Sequence, residues 1–350
     1  MWYTIYTLRA GGEGVLPTIK DVARAVGVSP TTVSNVIRGN LRRVSPETVE
    51  RIRAAIAGIG YVPNLSARSL VGGASRIIGV ISRPAPLESE GPFHGALLAG
   101  IEQTLRARDY YLMMRAVDTA AELHSLLSNW NLDGLLLTGA FPGGFYRSLL
   151  SQDTPFLLLD GYVDDPNVLQ VRPADRVGGY LATKHLLDNG HRGILFCGPS
   201  MAQRGAISER YEGYRQALEE HGIAPRKENV CAVEIGVEQG AALGRKLAGR
   251  AGYTALFAAA HLLAAGLISG LQAAGRRVPE EVSVVGFDDS HVARLISPPL
   301  TTVRQDAARK GAIAAELLLS AMDRSKERQH VAVLPVELVE RQSVRRIDSL

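Results

Sequence analysis

The stretch Thr18-Ile19-Lys20-Asp21-Val22-Ala23-Arg24-Ala25-Val26-Gly27-Val28-Ser29-Pro30-Thr31-Thr32-Val33-Ser34-Asn35-Val36-Ile37-Arg38-Gly39-Asn40 decides the fold of the N-terminal part of the chain. Thr18 followed by Asp21 is a helix start, a hydroxyl cap with an acid in the first turn. Ile19, Val22, Ala23 and Val26 then lie on one face of a short helix, and Gly27 supplies its left-handed stop. Ser29-Pro30 opens a second helix, because proline at the first helical position gives up an N–H that would go unused anyway. Val33, Val36 and Ile37 face inward, leaving Thr31, Thr32, Ser34, Asn35 and Arg38 outside. Two short helices joined by a glycine turn form a helix-turn-helix, whose second helix fits the major groove of DNA. Ser45-Pro46-Glu47 starts a third helix with a core face of Val49, Ile52, Ile56 and Ile59.

Charge agrees with that reading. Residues 1–76 carry ten Lys/Arg against four Asp/Glu, whereas the remainder carries 29 against 31. A basic head on a nearly neutral body implies a polyanionic partner for the head alone. The 350 residues suffice for two or three domains, and 46% hydrophobic with 21% charged residues is a globular composition. No apolar run approaches the roughly 18 residues that span a bilayer. Residues 1–17 read as an unstructured extension without the apolar core of an export signal. The two cysteines, Cys197 and Cys231, lie in apolar strand-like runs; no disulfide or metal site is expected, which fits a reducing cytoplasm.

From Arg76 the texture becomes that of alternating strands and helices. Ile77–Ile81, Tyr110–Met114, Gly134–Thr138, Pro155–Leu159, Gly193–Cys197, Val230–Ile235, Ala255–Ala258 and Val282–Gly286 read as strands. Helical patterns over Ala96–Arg108, Ala120–Asn129, Ala174–Asn189, Glu209–His221 and Asp306–Met322, among others, separate them. This predicts parallel sheets in βαβ units, and the series is long enough for two similar lobes with a cleft between them.

Thr18–Asn40 with Val44-Ser45-Pro46-Glu47-Thr48, Gly60-Tyr61-Val62-Pro63-Asn64 and Ala67-Arg68-Ser69-Leu70 resembles the headpiece and hinge of LacI/GalR (lactose-repressor-type) bacterial regulators. The body resembles the same family's ligand-binding core, shared with periplasmic sugar-binding proteins. Asp133-Gly134, Gly190-His191-Arg192, Arg210–Tyr214, Gly286–Asp289 and Leu338–Ser343 carry that likeness. The resemblance covers about residues 18–345. It implies an N-terminal all-α helix-turn-helix headpiece plus an α/β two-lobed periplasmic-binding-protein-like core with three crossovers, near Val171–Asp175, Pro298–Val303 and Gln329–Val336. The expected domains are 18–63 for the headpiece, 64–75 for hinge helix and linker, and 76–350 for the core. Lobe 1 takes about 76–173 and 303–332, and lobe 2 about 174–302 and 333–350.

The expected DNA contacts are Thr18, Ser29, Thr31, Thr32, Ser34, Asn35, Arg38, Ser45 and Thr48 in the headpiece, and Asn64, Ala67, Arg68 and Leu70 in the hinge. Thr31, Thr32, Ser34 and Asn35 are expected to read bases, and Thr18, Arg38, Ser45 and Thr48 to hold phosphates. Leu70, by resemblance, is a wedge that enters a base step. Effector candidates follow strands, where open α/β folds bind ligands: Phe93, His94, Asp160, Arg204, Arg210 and Asp288. The family's pocket Asp and Arg correspond to Asp288 and Arg210. Arg204 could instead pair with Glu209, and Phe93 and His94 could equally be a core ring and a solvated one. His261 departs from the family, standing where an acid is usual.

No Gly-x-Gly-x-x-Gly after a strand, Walker-type loop, zinc spacing or nucleophile elbow is present, so neither an enzyme nor a cofactor is expected. The expected function is a cytoplasmic, ligand-responsive transcriptional regulator, a repressor of sugar or other small-metabolite genes acting as a homodimer on pseudo-palindromic double-stranded operator DNA, with a small-molecule effector such as a sugar and no membrane association. A transport system's solute-binding protein is the alternative, and the basic headpiece argues against it.

Overall fold

The computed structural model describes residues 17–37, 39–61, 75–83, 91–139, 143–151, 153–201, 204–323 and 330–347. Two compact units, Met1–Ser75 and Arg76–Leu350, divide the chain. The expected hinge residues Asn64, Ala67, Arg68 and Leu70, and the phosphate candidate Arg38, lie outside the described residues.

The first unit contains α1 (Ile19–Val26), α2 (Pro30–Ile37) and α3 (Pro46–Ile59). Each starts on a polar group near the cap. The Asp21 carboxylate accepts from the Thr18 N–H at 2.9 Å and its hydroxyl at 2.7 Å. Ser29 Oγ accepts from the Thr32 N–H at 3.1 Å, and Ser45 Oγ from the Thr48 N–H at 3.3 Å. Gly27 (φ 72°) and Gly60 (φ 70°) end α1 and α3 in the left-handed conformation that a Cβ disfavours. Val22, Ala23, Val26, Val33, Val36, Val49, Ile52 and Tyr61 form the core that makes such short helices stable.

The second unit is built on two six-stranded sheets. The first holds β1 (Ile77–Ser82), β2 (Tyr111–Ala116), β3 (Gly134–Thr138), β4 (Phe156–Leu159), β5 (Leu169–Pro173) and β11 (Val331–Leu334). The second holds β6 (Ile194–Gly198), β7 (Val230–Ala232), β8 (Ala255–Ala258), β9 (Ser283–Asp288), β10 (Thr301–Arg304) and β12 (Glu337–Val339). Their orders, β2-β1-β3-β4-β5-β11 and β7-β6-β8-β9-β10-β12, are the same pattern repeated. Every neighbouring pair is parallel except β10 and β12. The central strands are buried on both faces, which is why they read as unbroken apolar runs.

The helices are α4 (Pro92–Arg106), α5 (Ala120–Asn129), α6 (Gly143–Arg147), α7 (Asp175–Asp188), α8 (Ala206–Glu220), α9 (Val237–Ala248), α10 (His261–Ala273), α11 (Val292–Leu295) and α12 (Ala307–Met322). Glycines let α7 and α8 touch backbone to backbone. A Cβ on Gly179 would stand 2.0 Å from the Arg210 carbonyl oxygen, and one on Gly213 2.0 Å from that of Arg176. That approach draws Arg210 in beside the first turn of α7.

The first passage between sheets falls within the expected stretch and the third overlaps it, whereas the second comes just after it. β5, β10 and β11 occupy the expected crossing stretches, so the chain changes sheets over 173–175, 304–307 and 334–337. Val303 therefore belongs to the second sheet, and Val333 and Leu334 to the first. Thr301-Thr302 disguises β10 in the sequence. Both are fully buried, and Thr301 Oγ1 accepts from the Arg341 N–H at 2.9 Å.

Candidate functional site

On the headpiece, Thr18, Ser29, Thr31 and Ser45 are exposed, and Thr32, Ser34, Asn35 and Thr48 are half-buried. The Ser29 and Thr32 hydroxyls pair with each other at 2.9 Å, as do those of Ser45 and Thr48 at 2.8 Å. These groups therefore fix helix starts while standing on the rim of the unit. Arg51, missed in the sequence, donates to the Val26 carbonyl at 2.7 Å and anchors α3 to the end of α1.

In the second unit, charged groups from both sheets meet where the chain passes between them. Asp288 ends β9 and Asp160 follows β4; both have left-handed backbones, φ 91° and 56°. Strain of this kind persists only where the surroundings fix it, and it concentrates at binding sites. The next residue, Asp289, is held by Arg304 at 2.8 Å and Arg341 at 2.6 Å, which pins the turn.

Arg210 Nε donates to Asp175 at 2.7 Å and Nη1 to the Ala259 carbonyl at 2.5 Å. Its Nη2 lies 3.7 Å from Asp288, and the guanidinium covers the Phe287 ring at 3.6 Å. Asp288 accepts from Gln305 at 2.6 Å and pairs with His261 Nδ1 at 3.0 Å. Gln305 Oε1 accepts from Lys310 Nζ at 3.2 Å, and Lys310 also donates to both oxygens of Asp160, at 2.9 and 2.8 Å. Tyr162 donates its hydroxyl to Asp175. Lys310 is carried by α12 of the first lobe and Asp288 by the second, so the network runs across the passage.

Burial works against ionisation of Asp288, yet the His261 hydrogen bond and the Arg210 charge outweigh it and hold the carboxyl well below the usual range. Burial pushes the Asp175 carboxyl up, against the pull of Arg210. Burial and the Asp175 charge raise the Tyr162 phenol far above its ordinary value, so it remains a donor. One polar atom of the group is left over: His261 Nε2 is buried and makes no hydrogen bond among the described residues, on a side chain 6% exposed.

The structure thus brings Arg210, Asp288 and Asp160 together. Phe93, in the first turn of α4, joins them at one remove, its ring 4.9 Å from Lys310 Nζ and packed on the first-lobe core. His94 sits edge-on to Phe93 at 5.8 Å. Arg204 stands outside, with a largely exposed side chain paired to Glu209 at 2.9 Å. Asp175, Tyr162, Gln305 and Lys310 were not legible as site residues. Lys310 had a signal, since it falls on the buried face of α12 with Ala307, Gly311 and Ala314.

A helix-turn-helix unit joined to a two-sheet body with a charged junction defines a DNA-binding regulator with an effector-binding domain. The description of bacterial regulatory proteins of the lacI family matches residues 18–64, and that of the periplasmic binding protein-like domain matches 183–344. The chain is 32% identical over 337 residues to the HTH-type transcriptional repressor PurR of Photobacterium profundum, covering 94% of this chain and 99% of the relative. It resembles the structure of the regulator CelR in complex with cellobiose (30% identity, TM-score 0.71, 93% and 99% covered). It also resembles the lac repressor dimer bound to operator and the anti-inducer ONPF (25% identity, TM-score 0.83, 95% and 100% covered). The chain belongs to the lacI family of bacterial regulatory proteins. It is a DNA-binding transcriptional regulator rather than a transporter's solute-binding protein. Among the described residues no helix is long and apolar enough to cross a membrane.

Proposed function

We propose that this regulator is a repressor that binds a pseudo-palindromic operator as a homodimer and takes a small polar effector, of the sugar class, at the Asp288–Arg210–His261 group. One observation carries the effector assignment: a buried ionic network crosses between the sheets and ends on His261 Nε2, a polar atom without a partner among the described residues. A ligand hydroxyl would satisfy that nitrogen, and a polar ligand is what such carboxylate and guanidinium groups recognise. The cellobiose complex of CelR and the ribose complex of an Enterococcus faecium regulator of this family support the sugar class.

The test is a thermal-shift screen of sugars and related metabolites, followed by band shifts on the preferred DNA site with and without each hit. Asp288→Asn, which keeps the side-chain shape, is expected to lose the thermal shift by a hit while still binding DNA. An unchanged ligand midpoint in Asp288→Asn would remove the effector assignment.

The DNA reading makes its own prediction. Asn35→Ala is expected to cost about 1–3 kcal/mol on the preferred site and little on random DNA, because a base-edge amide discriminates and a phosphate contact does not. Equal losses on both, measured by titration at fixed salt, would assign Asn35 to the backbone.

A further inference from the structure

The chain's two cysteines stand side by side on paired strands of the second sheet. Cys197 of β6 is in register with Cys231 of β7, and β7 is the sheet's edge strand. Parallel neighbours lie about 4.8 Å apart with paired side chains on the same face. Disulfides span Cα separations of about 4.4–6.8 Å, so this register puts the two cysteines within the backbone range of a bridge. The two thiols differ in access. Cys197 is fully buried in the lobe's core, whereas Cys231 is half-buried and lines a cavity of about 340 Å³ with Leu243, Leu247, Lys246 and Arg250. Arg250 is held over this edge by its hydrogen bond to the Glu228 carbonyl at 2.8 Å.

We propose that Cys231 and Cys197 form a peroxide-reactive thiol pair, with Cys231 the attacking sulfur in the cationic cavity and Cys197 the resolving one. The hydrogen bond from Cys197 and the positive Arg250 and Lys246 lower the Cys231 thiol to about 7, against the effect of its burial. That hydrogen bond and burial raise Cys197 well above its ordinary value, so it remains the proton carrier. The other titratable neighbours, Tyr214 and Tyr253, have raised phenols and stay neutral. The oxidant is a hydroperoxide. The Cys231 thiolate attacks its terminal oxygen, the S–O bond forms as the O–O bond breaks, and the leaving alkoxide or hydroxide takes a proton. Sulfur is oxidised by two electrons to the sulfenic acid. Cys197 then attacks that sulfur, giving up its proton, and hydroxide leaves as water. The sum is two thiols and one hydroperoxide to one disulfide, one alcohol or water, and one further water.

The experiment is to treat the reduced full-length protein with hydrogen peroxide between pH 6 and 9, quench with an alkylating agent and map unreduced peptides by mass spectrometry. One intrachain 197–231 bridge per equivalent of peroxide is expected, its rate rising with a midpoint near pH 7. Cys197→Ser should stop at the sulfenic acid, trapped on Cys231 by dimedone. Replacing both Lys246 and Arg250 with Met should raise the thiol, short of its ordinary value because the Cys197 hydrogen bond remains, and slow the reaction at pH 7 by up to roughly three- to four-fold, since the lost thiolate is partly offset by a more nucleophilic sulfur. Oxidation of Cys231 no faster than in the urea-unfolded chain, or a bridge only between two chains, would overturn the proposal. The wild-type peptide map decides the matter alone if a variant misfolds.

Discussion

Arg210→Ala is expected to lower the melting temperature of the second unit by about 10 °C, the largest loss from any single truncation in the junction. The side chain is 6% exposed and faces Asp175, whose own side chain is fully buried. Removing one partner of a buried pair leaves an uncompensated charge and costs about 3–5 kcal/mol, and domains of 150–250 residues lose about 2–4 °C per kcal/mol. The pH dependence identifies the cause. The Asp175 carboxyl is already pushed up by burial with Arg210 in place, and it rises further without it. A carboxyl whose folded pKa lies above its unfolded value near 4 destabilises the protein above that value, and the penalty fades as pH falls. The deficit of Arg210→Ala should therefore be larger at pH 7 than at pH 5. A deficit independent of pH, measured by circular dichroism melts, would mean that lost packing on Phe287 rather than the stranded carboxyl is responsible. The same argument bears on function: loss of effector response in Arg210→Ala is not by itself evidence of ligand contact, which is why Asp288→Asn is the better probe.

How far the sequence reached can be judged at particular residues. The headpiece was legible because local signals suffice there. The Ser29-Pro30 and Ser45-Pro46 starts, the Gly27 stop and the valine spacing act within a few residues of one another. Of the body, the buried central strands were legible as apolar runs, while β10 was hidden by its threonines and β12 is an edge strand of only three residues. Asp288 and Arg210 came from the family likeness. Asp175 could not, because its partner Arg210 lies 35 positions away and the pairing depends on how closely α7 and α8 approach. Glycines 179 and 213 set that approach, and their meaning emerges only once the two helices are placed together.

Across the junction, Asp160→Ala is expected to cost more stability than Lys310→Met, although the two residues form one ion pair. Their surroundings are unequal. The Lys310 side chain is 1% exposed and that of Asp160 is 29% exposed. Without Lys310, the Asp160 carboxylate can still turn to solvent, and methionine fills most of the lysine's volume, so a loss of roughly 1–2 kcal/mol is expected. Without Asp160, the ammonium stays buried, left among the described residues with the Gln305 oxygen at 3.2 Å and the Phe93 ring at 4.9 Å. Neither neutralises it, and the cost should approach the roughly 3–5 kcal/mol of a broken buried pair. The double variant Asp160→Ala/Lys310→Met should recover part of that loss, since the stranded charge is gone. Because Lys310 belongs to the first lobe and reaches Asp288 of the second through Gln305, the recovered protein should still respond differently to effector. A rotation that parts Lys310 from Asp288 breaks at least one of the two Gln305 hydrogen bonds, and the double variant has already lost the one from Lys310. Melting curves giving the opposite order, Lys310→Met below Asp160→Ala, would show that Lys310 is held by something other than Asp160 and would remove the pair from the junction's energetics.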